Sequence, residues 1–295
     1  MRAVLRWEEL IPAMEMALIA FSSGRVLQPL RSWLAIEENS RYLGIMPAAR
    51  DDAMGLKLVS FYPRNSGTEI PTVMATVLLF RPDTGEPVAM MEAGVITAMR
   101  TAAVSAAVTN HLAAPDCTIL ALLGSGVQAR AHFHALTQVR RFKEVRVWSR
   151  TPENAERFAA EIGATAMDAE TAVRGADIVV TATAARTPIL KGEWLKSGAH
   201  VNAIGAPKPS WRELDDDAMK HLIVVESREA VRKESGDVIL SKAEIYAEVG
   251  EIFAGTKSNP REQTTVFKSV GMAIEDIVAA KLVLDAKTLT GPRSG

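Results

Sequence analysis

Cysteine, aromatic residues and long hydrophobic runs are all scarce in this chain of 295 residues. The single cysteine, Cys117, excludes an internal disulfide, and no zinc-ligand spacing surrounds it. No apolar run reaches the ~18 residues that a membrane-spanning helix needs. The first residues lack the apolar core and small-residue cleavage site of a signal peptide. We therefore expect a cytoplasmic protein in a reducing compartment.

The chain also lacks an excess of charge of either sign. Its 34 Lys and Arg residues are balanced by 35 Asp and Glu residues, which gives a formal net charge of -1 at pH 7. Because the basic residues are scattered, we expect neither nucleic acid nor a membrane surface as a partner. The 48% of hydrophobic residues and 23% of charged residues are typical of a globular protein, and the length favours two domains.

The first region of the chain combines helices with strands. Apolar residues recur at helical spacing over 10–21, and Gly24 predicts the end of that helix. Residues 55–61 and 73–80 are short, rich in β-branched or aromatic residues and followed by turn-forming residues. They predict a largely antiparallel sheet, and a helix of small residues over 92–112 closes the region.

The second region alternates strands with helices. Strands separated by helices of about ten residues imply right-handed crossovers and a parallel, doubly wound sheet. After that sheet, residues 269–287 predict one long helix that returns to the first domain. The predicted strands lie at 118–124, 144–149, 176–183, 200–205 and 222–227, and the predicted helices at 127–139 and 151–163.

The turn between the first strand and helix of this region carries a dinucleotide fingerprint of the form G-x-G-x-x-A. It consists of Gly124, Ser125, Gly126, Val127, Gln128 and Ala129. Gly124 permits the tight turn, Gly126 lets a pyrophosphate approach the backbone, and Ala129 lets the helix lie close to the strand. The N–H groups of the helix N-terminus attract the phosphates. The alternative is a structural glycine turn, but the strand–helix–strand order around it favours a nucleotide site.

The end of the second strand indicates which cofactor binds. NAD sites carry an Asp or Glu about 20 residues beyond the glycines, where this chain has Ser149, Arg150 and Thr151. A guanidinium there binds a 2′-phosphate and no carboxylate repels it, so we expect NADPH. In the alternative interpretation Arg150 is a solvated surface residue.

Seven motifs, in order along nearly the whole chain, resemble the ornithine cyclodeaminase and mu-crystallin family. They are MGLKLVSFY, ITAMRTAAVSAAV, GSGVQARAH, NAIGAPKPSWREL, ESGD, IYAEVGEIFAG and VFKSVGMAIEDIVAA. The resemblance implies an α/β fold, with a Rossmann doubly wound sheet and an N-terminal α+β domain completed by the C-terminal helix. It also implies hydride chemistry at the α-carbon of amino or imino acids, and a homodimer.

On this basis residues 1–115 and 268–295 form a substrate and dimerisation domain, and residues 116–267 an NADP-binding Rossmann domain. We also expect Thr181 and Ala182, at the end of a strand of the same sheet, to contact the cofactor. The resemblance places the backbone of Ser269 and Gly271 near the nicotinamide.

One segment distinguishes the branches of the family. Ornithine cyclodeaminases share a G-G-D-x-P-G-K-T-E-L stretch, and its aspartate is thought to do acid–base work. Here the matching residues, 205–214, have Pro207 at the aspartate position, and proline has no ionisable group. The W-R-E-L ending instead resembles the mu-crystallin branch, the ketimine reductases, whose cofactor is NADPH.

Three basic residues are candidates for the catalytic site. Lys57 shares a strand face with Val59 and Phe61, so it should be desolvated and hold its proton less tightly than in water. Its alternative is a strand-end lysine that reaches solvent. Arg100, among small helical residues, needs an anion, which is either a substrate carboxylate or a structural ion pair. Arg31 matches, by resemblance, a further carboxylate-binding arginine of the family. Together they predict a basic pocket without a carboxylate.

Other polar residues receive structural interpretations. His111, His132 and His134 have no metal spacing with a carboxylate, so we expect no metal and histidines that are exposed or hydrogen-bonded. Glu234 and Asp237 are expected to cap or salt-bridge a loop.

Together these features predict an NADPH-dependent reductase of cyclic or open α-imino acids, such as pyrroline-2-carboxylate or piperideine-2-carboxylate. Two alternatives stay open. One is an amino acid deaminase, either an ornithine cyclodeaminase with an altered base or an enzyme like alanine dehydrogenase. The other is a non-catalytic protein that binds a small molecule together with NADPH.

Overall fold

The computed structural model describes residues 4–38, 40–65 and 67–290, with side chains as far as residue 287. Its first elements are α1 (Trp7–Ser22), β1 (Ser32–Glu37), β2 (Arg41–Arg50), β3 (Ala53–Phe61), β4 (Val73–Phe80), β5 (Pro87–Glu92) and α2 (Gly94–Leu112). They are followed by β6 (Ile119–Leu123), α3 (Val127–Val139), β7 (Glu144–Trp148), α4 (Pro152–Ile162), β8 (Thr165–Ala166), α5 (Ala169–Val173) and β9 (Ile178–Thr181). The last are β10 (His200–Ala203), β11 (Leu222–Val225), α6 (Arg228–Glu234), α7 (Gly236–Ser241), β12 (Ile245–Glu248), α8 (Val249–Phe253), β13 (Thr265–Lys268) and α9 (Ala273–Thr290).

The chain divides into two compact units. The first comprises Met1–Arg100 and Met272–Gly295, and the second comprises Thr101–Gly271. The sequence places these boundaries after residues 115 and 267, whereas the units part within α2 and just before α9. Helix α9 falls in the first unit. The assignment of residues 1–115 and 268–295 to a substrate and dimerisation domain stays a prediction.

The first unit is an antiparallel sheet covered by helices. Its strands pair in the order β1-β2-β3-β4-β5, and α9 packs on β2, β3, β4 and α1. Gly55 permits this close packing, because a Cβ there would lie 2.3 Å from the carbonyl oxygen of Leu78 and 3.4 Å from Ile277 Cγ1. The predicted helix over 10–21 and the strands at 55–61 and 73–80 are confirmed, with turns where the sequence placed them.

The second unit is built on a parallel sheet. In the described residues its strand order is β12-β11-β13-β10-β9-β6-β7-β8, and each of these neighbouring strand pairs is parallel. The predicted fold class is therefore confirmed. Because β6, β9 and β10 are neighbours, the loops that follow them lie at the same edge of the sheet, which is where doubly wound folds bind ligands.

The structure adds elements that the sequence pattern did not predict. Strand β13 lies between β10 and β11 and is buried along its whole length. The predicted helix over 269–287 begins later, at Ala273, because residues 269–272 are irregular and Gly271 has a φ of 78°, which a right-handed helix does not contain. Within the described ranges, none of the helices is both long enough and apolar enough to cross a membrane.

Candidate functional site

Lys57 lies in the middle of the first unit's sheet. Its register partners are Met46 on β2 and Val77 on β4, both of which are buried, and Lys57 itself is only 2% exposed. The prediction of a desolvated cation within an apolar strand pattern is thus confirmed. A charge in such surroundings needs a partner, since the burial of an uncompensated ion is costly.

The C-terminal helix supplies that partner. Lys57 Nζ lies 2.5 Å from Oδ2 of Asp276. Oδ1 of the same carboxylate accepts a hydrogen bond from Arg100 Nε at 3.0 Å, and Arg100 Nη1 donates to Glu275 Oε2 at 2.5 Å. Lys57, Arg100, Glu275 and Asp276 therefore form a buried network of charged side chains, called the Lys57 cluster below.

The local sequence explains why α9 carries these acids. Glu275 and Asp276 lie in its first turn, where the helix macrodipole favours negative charge. Glu275 Oε2 also accepts the backbone N–H of Met272 at 3.1 Å, so it helps to cap the helix. The neighbouring residues Ile274 and Ile277 are fully buried, so the apolar packing of α9 fixes the direction of the carboxylates.

The electrostatics of the cluster make Lys57 a weakened base. Burial lowers the pKa of Lys57 to about 8; the Asp276 carboxylate opposes this, while the charges of Arg100 and Arg31 add to it. Burial alone would raise the pKa of Asp276, but the charges of Arg100 and Lys57 outweigh it and hold that pKa below its ordinary value. Near neutral pH the cluster therefore contains an ammonium that releases its proton more readily than an exposed lysine.

The structure corrects the expectation of a purely basic pocket. Arg100 is paired internally with Glu275 and Asp276, which is the structural ion pair that the sequence left open as its alternative. Half-buried Arg31 acts on Lys57 through its charge. The sequence interpretation missed both carboxylates. Their signal was two adjacent acids inside the otherwise apolar stretch after Gly271, yet acids in a first helical turn are common for purely local reasons.

In the second unit, the glycine loop has the shape of a phosphate site. Gly124 has a φ of 134°, and a Cβ there would lie 2.6 Å from the carbonyl oxygen of Ala182, so only glycine fits. Gly126 precedes α3 without a side-chain cap, and nothing lies within 4 Å of the position of a Cβ. This open space beside the first N–H groups of α3 fits a pyrophosphate.

The four other fingerprint residues are neighbours of the two glycines along the chain. Val127, the first residue of α3, is 66% exposed, and Ser125 Oγ donates to Ser149 Oγ at 2.9 Å. The side-chain oxygen Oε1 of Gln128 is buried and has no hydrogen-bond partner in the described ranges. Ala129 is buried against the sheet side of the helix, as predicted. An orphaned acceptor next to an open helix N-terminus is consistent with a ligand that donates to it.

The residues after β7 are presented to solvent. Arg150 is exposed and makes no ion pair with any residue that the structure describes. Thr151 occupies the N-cap position of α4, with Pro152 as the first helical residue. The chain thus offers a guanidinium at the position where the sequence expects the 2′-phosphate.

The other predicted cofactor residues are bound within the second unit. Thr181 is fully buried, and its hydroxyl donates to Glu213 Oε2 at 2.7 Å. The Ser269 hydroxyl and the Gly271 N–H donate to the buried carboxylate of Glu226 at 2.6 and 2.8 Å. Ala182 contributes its carbonyl to the packing of the glycine loop. These contacts fix the positions of the loops that follow the strands. That any of the four residues contacts a cofactor stays a prediction.

A second buried lysine lies beneath the loop that follows β10. Lys268 Nζ lies 2.9 Å from Asp237 Oδ2 and donates to the carbonyl of Gly205 at 2.6 Å. Asp237 Oδ1 accepts the backbone N–H groups of Glu213 and Leu214 at 2.8 and 3.0 Å. The prediction that Asp237 salt-bridges a loop is confirmed.

Glu213 completes this group, which we call the Lys268 cluster (Lys268, Asp237 and Glu213). Its carboxylate accepts hydrogen bonds from the N–H and hydroxyl of Thr183 and from the N–H of Gly205, at 2.6 to 2.8 Å. Burial raises the pKa of Glu213. The cluster anchors the start of the segment in which Pro207 is exposed.

His132 is fully buried, with Nε2 2.9 Å from Ser105 Oγ and Nδ1 2.7 Å from the Gln128 carbonyl, and burial lowers its pKa to about 4. Both ring nitrogens are satisfied, as expected. Within the described ranges, no group of His, Cys, Asp and Glu side chains is arranged to hold a metal ion.

Comparisons with known proteins agree with this architecture. The family model "Ornithine cyclodeaminase/mu-crystallin family" matches residues 2–290. A ketimine reductase mu-crystallin of Mus musculus is 51% identical over 94% of this chain and 91% of its own length. A Thermococcus litoralis Delta(1)-pyrroline-2-carboxylate reductase, solved with NADH and L-proline, is 37% identical, with a TM-score of 0.93 over 98% of this chain and 95% of that one. An archaeal alanine dehydrogenase dimer with bound NAD is 32% identical, with a TM-score of 0.92 over 98% of this chain and 94% of that one.

Proposed function

Since this chain belongs to the ornithine cyclodeaminase/mu-crystallin family, we propose that it is an NADPH-dependent imine reductase. Its substrates are cyclic or open ketimines that carry an α-carboxylate, such as Δ1-pyrroline-2-carboxylate or Δ1-piperideine-2-carboxylate. Its similarity to ketimine reductases and to Delta(1)-pyrroline-2-carboxylate reductases identifies the chain as an NAD(P)H-dependent oxidoreductase that acts on C=N bonds. The observation that carries the proposal is the buried Lys57 ammonium, an acid poised near neutral pH.

Reduction of an imine requires a hydride at carbon and a proton at nitrogen. A reduced nicotinamide supplies the hydride when it is bound, and Gly124, Gly126 and the first turn of α3 would hold its pyrophosphate. Lys57 donates the proton to the imine nitrogen, because an electrophilic iminium accepts hydride more readily than a neutral imine. A pKa of about 8 suits this task, since the lysine is protonated at neutral pH and gives up its proton readily.

The charges around Lys57 suit a substrate with one carboxylate. The three cations Lys57, Arg100 and Arg31 and the two carboxylates Glu275 and Asp276 leave one positive charge among these five side chains. A substrate carboxylate balances that charge, with Arg31 and Arg100 as its ligands. Arg100 is held by its two internal anions, so its guanidinium is oriented before the substrate arrives.

The test is turnover by the purified protein. We expect NADPH oxidation with piperideine-2-carboxylate or pyrroline-2-carboxylate, faster at mildly acidic than at alkaline pH because iminium formation favours the lower value. NADPH binding without turnover of either imine would support the binding protein instead. Release of ammonia from ornithine with NAD would support a cyclodeaminase. Its catalytic base would then have to be another residue, because Pro207 has no ionisable group.

The cofactor preference is tested by Arg150→Asp. This substitution replaces a phosphate ligand by a carboxylate that repels the 2′-phosphate, so kcat/KM with NADPH should fall by about 10- to 100-fold. The value with NADH should be unchanged or higher, because the carboxylate accepts hydrogen bonds from the ribose. A preference that does not change would remove the assignment of Arg150.

We also propose a homodimer. The edge strand β1 exposes Trp33, Leu34 and Ile36 by 43%, 59% and 48%, and Met90 on the opposite edge strand β5 is 75% exposed. Sheet edges with exposed apolar side chains favour association with a second copy. Light scattering after size exclusion should give twice the monomer mass of 31.9 kDa. A monomer at micromolar concentration would refute the proposal.

A further inference from the structure

Asp276 is the one side chain of the Lys57 cluster that contacts both cations. Oδ2 faces Lys57 Nζ at 2.5 Å, and Oδ1 accepts from Arg100 Nε at 3.0 Å. We propose that Asp276 is a positioning residue for Lys57, and that its bridging carboxylate keeps the ammonium charged and fixed between the strands for proton transfer to the imine. This role rests on the proposed function of Lys57 as the acid.

The surroundings explain why Lys57 needs such a residue. A lysine side chain is a flexible four-carbon stem that ends in a strongly hydrated charge. Here the charged groups that act on the ammonium are Asp276 on α9, Arg100 on α2 and Arg31 before β1, and both arginines repel it. Asp276 is the only attractive charge among these three. Without it, burial and repulsion both favour the neutral amine, which has no proton to donate to an imine.

The two adjacent carboxylates have different partners. Glu275 accepts hydrogen bonds from Arg100 Nη1 and from the backbone N–H of Met272, whereas Asp276 contacts Lys57 directly. Asp276 is fully buried, and Thr97 Oγ1 lies 3.4 Å from its Oδ1. Two adjacent residues of α9 thus differ in their contacts: Asp276 contacts both Lys57 and Arg100, and Glu275 contacts Arg100. This difference provides a matched control within the same helical turn.

The principal test is Asp276→Asn, which keeps the shape of the side chain and removes its charge. We expect the alkaline limb of the pH profile of kcat/KM to move down by about 1–3 units, the range seen for close opposite charges. Activity lost at pH 8 should then recover in part at pH 6. A merely structural role would lower activity at every pH and leave the limb in place.

A measurement that needs no turnover supports the same test. In protein labelled with 13C at the lysine side chains, the resonance of Lys57 is identified by its loss in Lys57→Met and is then titrated by NMR. The Lys57 titration should move to lower pH in Asp276→Asn, by the same amount as the kinetic limb. An unchanged titration in the folded variant would overturn the proposal.

Two further variants complete the design. Glu275→Gln should raise KM for the imino acid through Arg100 and move the Lys57 titration and the alkaline limb less than Asp276→Asn does, because Asp276 is the carboxylate in direct contact with Lys57. Asp276→Glu keeps the charge but moves it by one methylene, so the titration should stay near that of the wild type while kcat falls by tenfold or more. If Asp276→Asn does not fold, unchanged kcat in Asp276→Glu overturns the positioning role. A limb that shifts in Glu275→Gln as much as in Asp276→Asn overturns it as well.

Failure of the proposed function has a different signature. If the wild-type protein reduces no α-imino acid, the assignment of Lys57 as the acid of an imine reductase is wrong, whatever the variants do. The NMR titration would still report whether Asp276 holds the Lys57 ammonium in its charged form. Turnover by the wild type, combined with an Asp276→Asn profile of unchanged shape, would instead refute only the role of Asp276.

Discussion

Each unit of this protein buries a lysine beside two carboxylates, but the carboxylates are used differently. In the Lys268 cluster, Asp237 and Glu213 accept most of their hydrogen bonds from backbone N–H groups and threonines of the loops around them. In the Lys57 cluster, Asp276 and Glu275 bind mainly the side-chain cations Lys57 and Arg100. The carboxylates of the Lys268 cluster connect segments of backbone, whereas the carboxylates of the Lys57 cluster bind charged side chains.

This difference separates a structural site from a candidate for chemistry. A carboxylate whose acceptor sites are filled by backbone groups stabilises a loop and has little capacity left for a ligand. A carboxylate that holds side-chain cations controls where a charge lies and how easily a proton leaves it. Burial alone does not distinguish the two lysines, since Lys57 is 2% exposed and Lys268 is 0% exposed.

The largest expected effect is on the activity of Lys57→Met. Methionine occupies a similar volume but has no proton to donate, so kcat should fall by about 10²- to 10⁴-fold. Asp276 keeps Arg100 as a partner, so the variant should remain folded. Steady-state NADPH oxidation and the circular dichroism spectrum check these two expectations. Activity within threefold of the wild type would mean that the Lys57 cluster, like the Lys268 cluster, has only a structural role.

The two lysine variants should rank in the opposite order for stability: Lys268→Met should lower the unfolding free energy more than Lys57→Met does. The Lys268→Met change leaves Asp237 buried without its cation, and the loss of one partner of a buried pair costs about 3–5 kcal/mol of unfolding free energy. Lys57→Met should cost less, because its carboxylate retains a second cation. Denaturation midpoints of both variants test this order. Lys233→Met, at an exposed lysine paired with Glu229, serves as the surface control. Equal midpoints for Lys57→Met and Lys268→Met would contradict the comparison.

The sequence predicted the elements whose pattern is local. Helix α3 has the predicted bounds, 127–139, and the alternation in β3 predicted the burial of Lys57. Strand β13 was missed because its two apolar residues, Val266 and Phe267, are followed directly by Lys268, a residue type that is usually exposed. The acids of the Lys57 cluster were missed for another reason. Asp276 meets Lys57 across 219 residues of chain, and no pattern within α9 shows which strand the helix covers.

The smallest expected effect concerns the pH dependence of stability. Burial lowers the pKa of Lys57 to about 8, whereas the unfolded chain has the ordinary value of 10.5. Between these values the unfolded state holds a proton that the folded state has released, so the unfolding free energy rises with pH in this window. From pH 8 to pH 10.5 the unfolding free energy of the wild-type protein should therefore rise by on the order of 3 kcal/mol relative to that of Lys57→Met. Below pH 8 the lysine is protonated in both states, and its full burial cost opposes folding. Urea denaturation of both proteins across this range measures the difference, and a difference that stays constant with pH would mean that the Lys57 ammonium is not held as a weakened base.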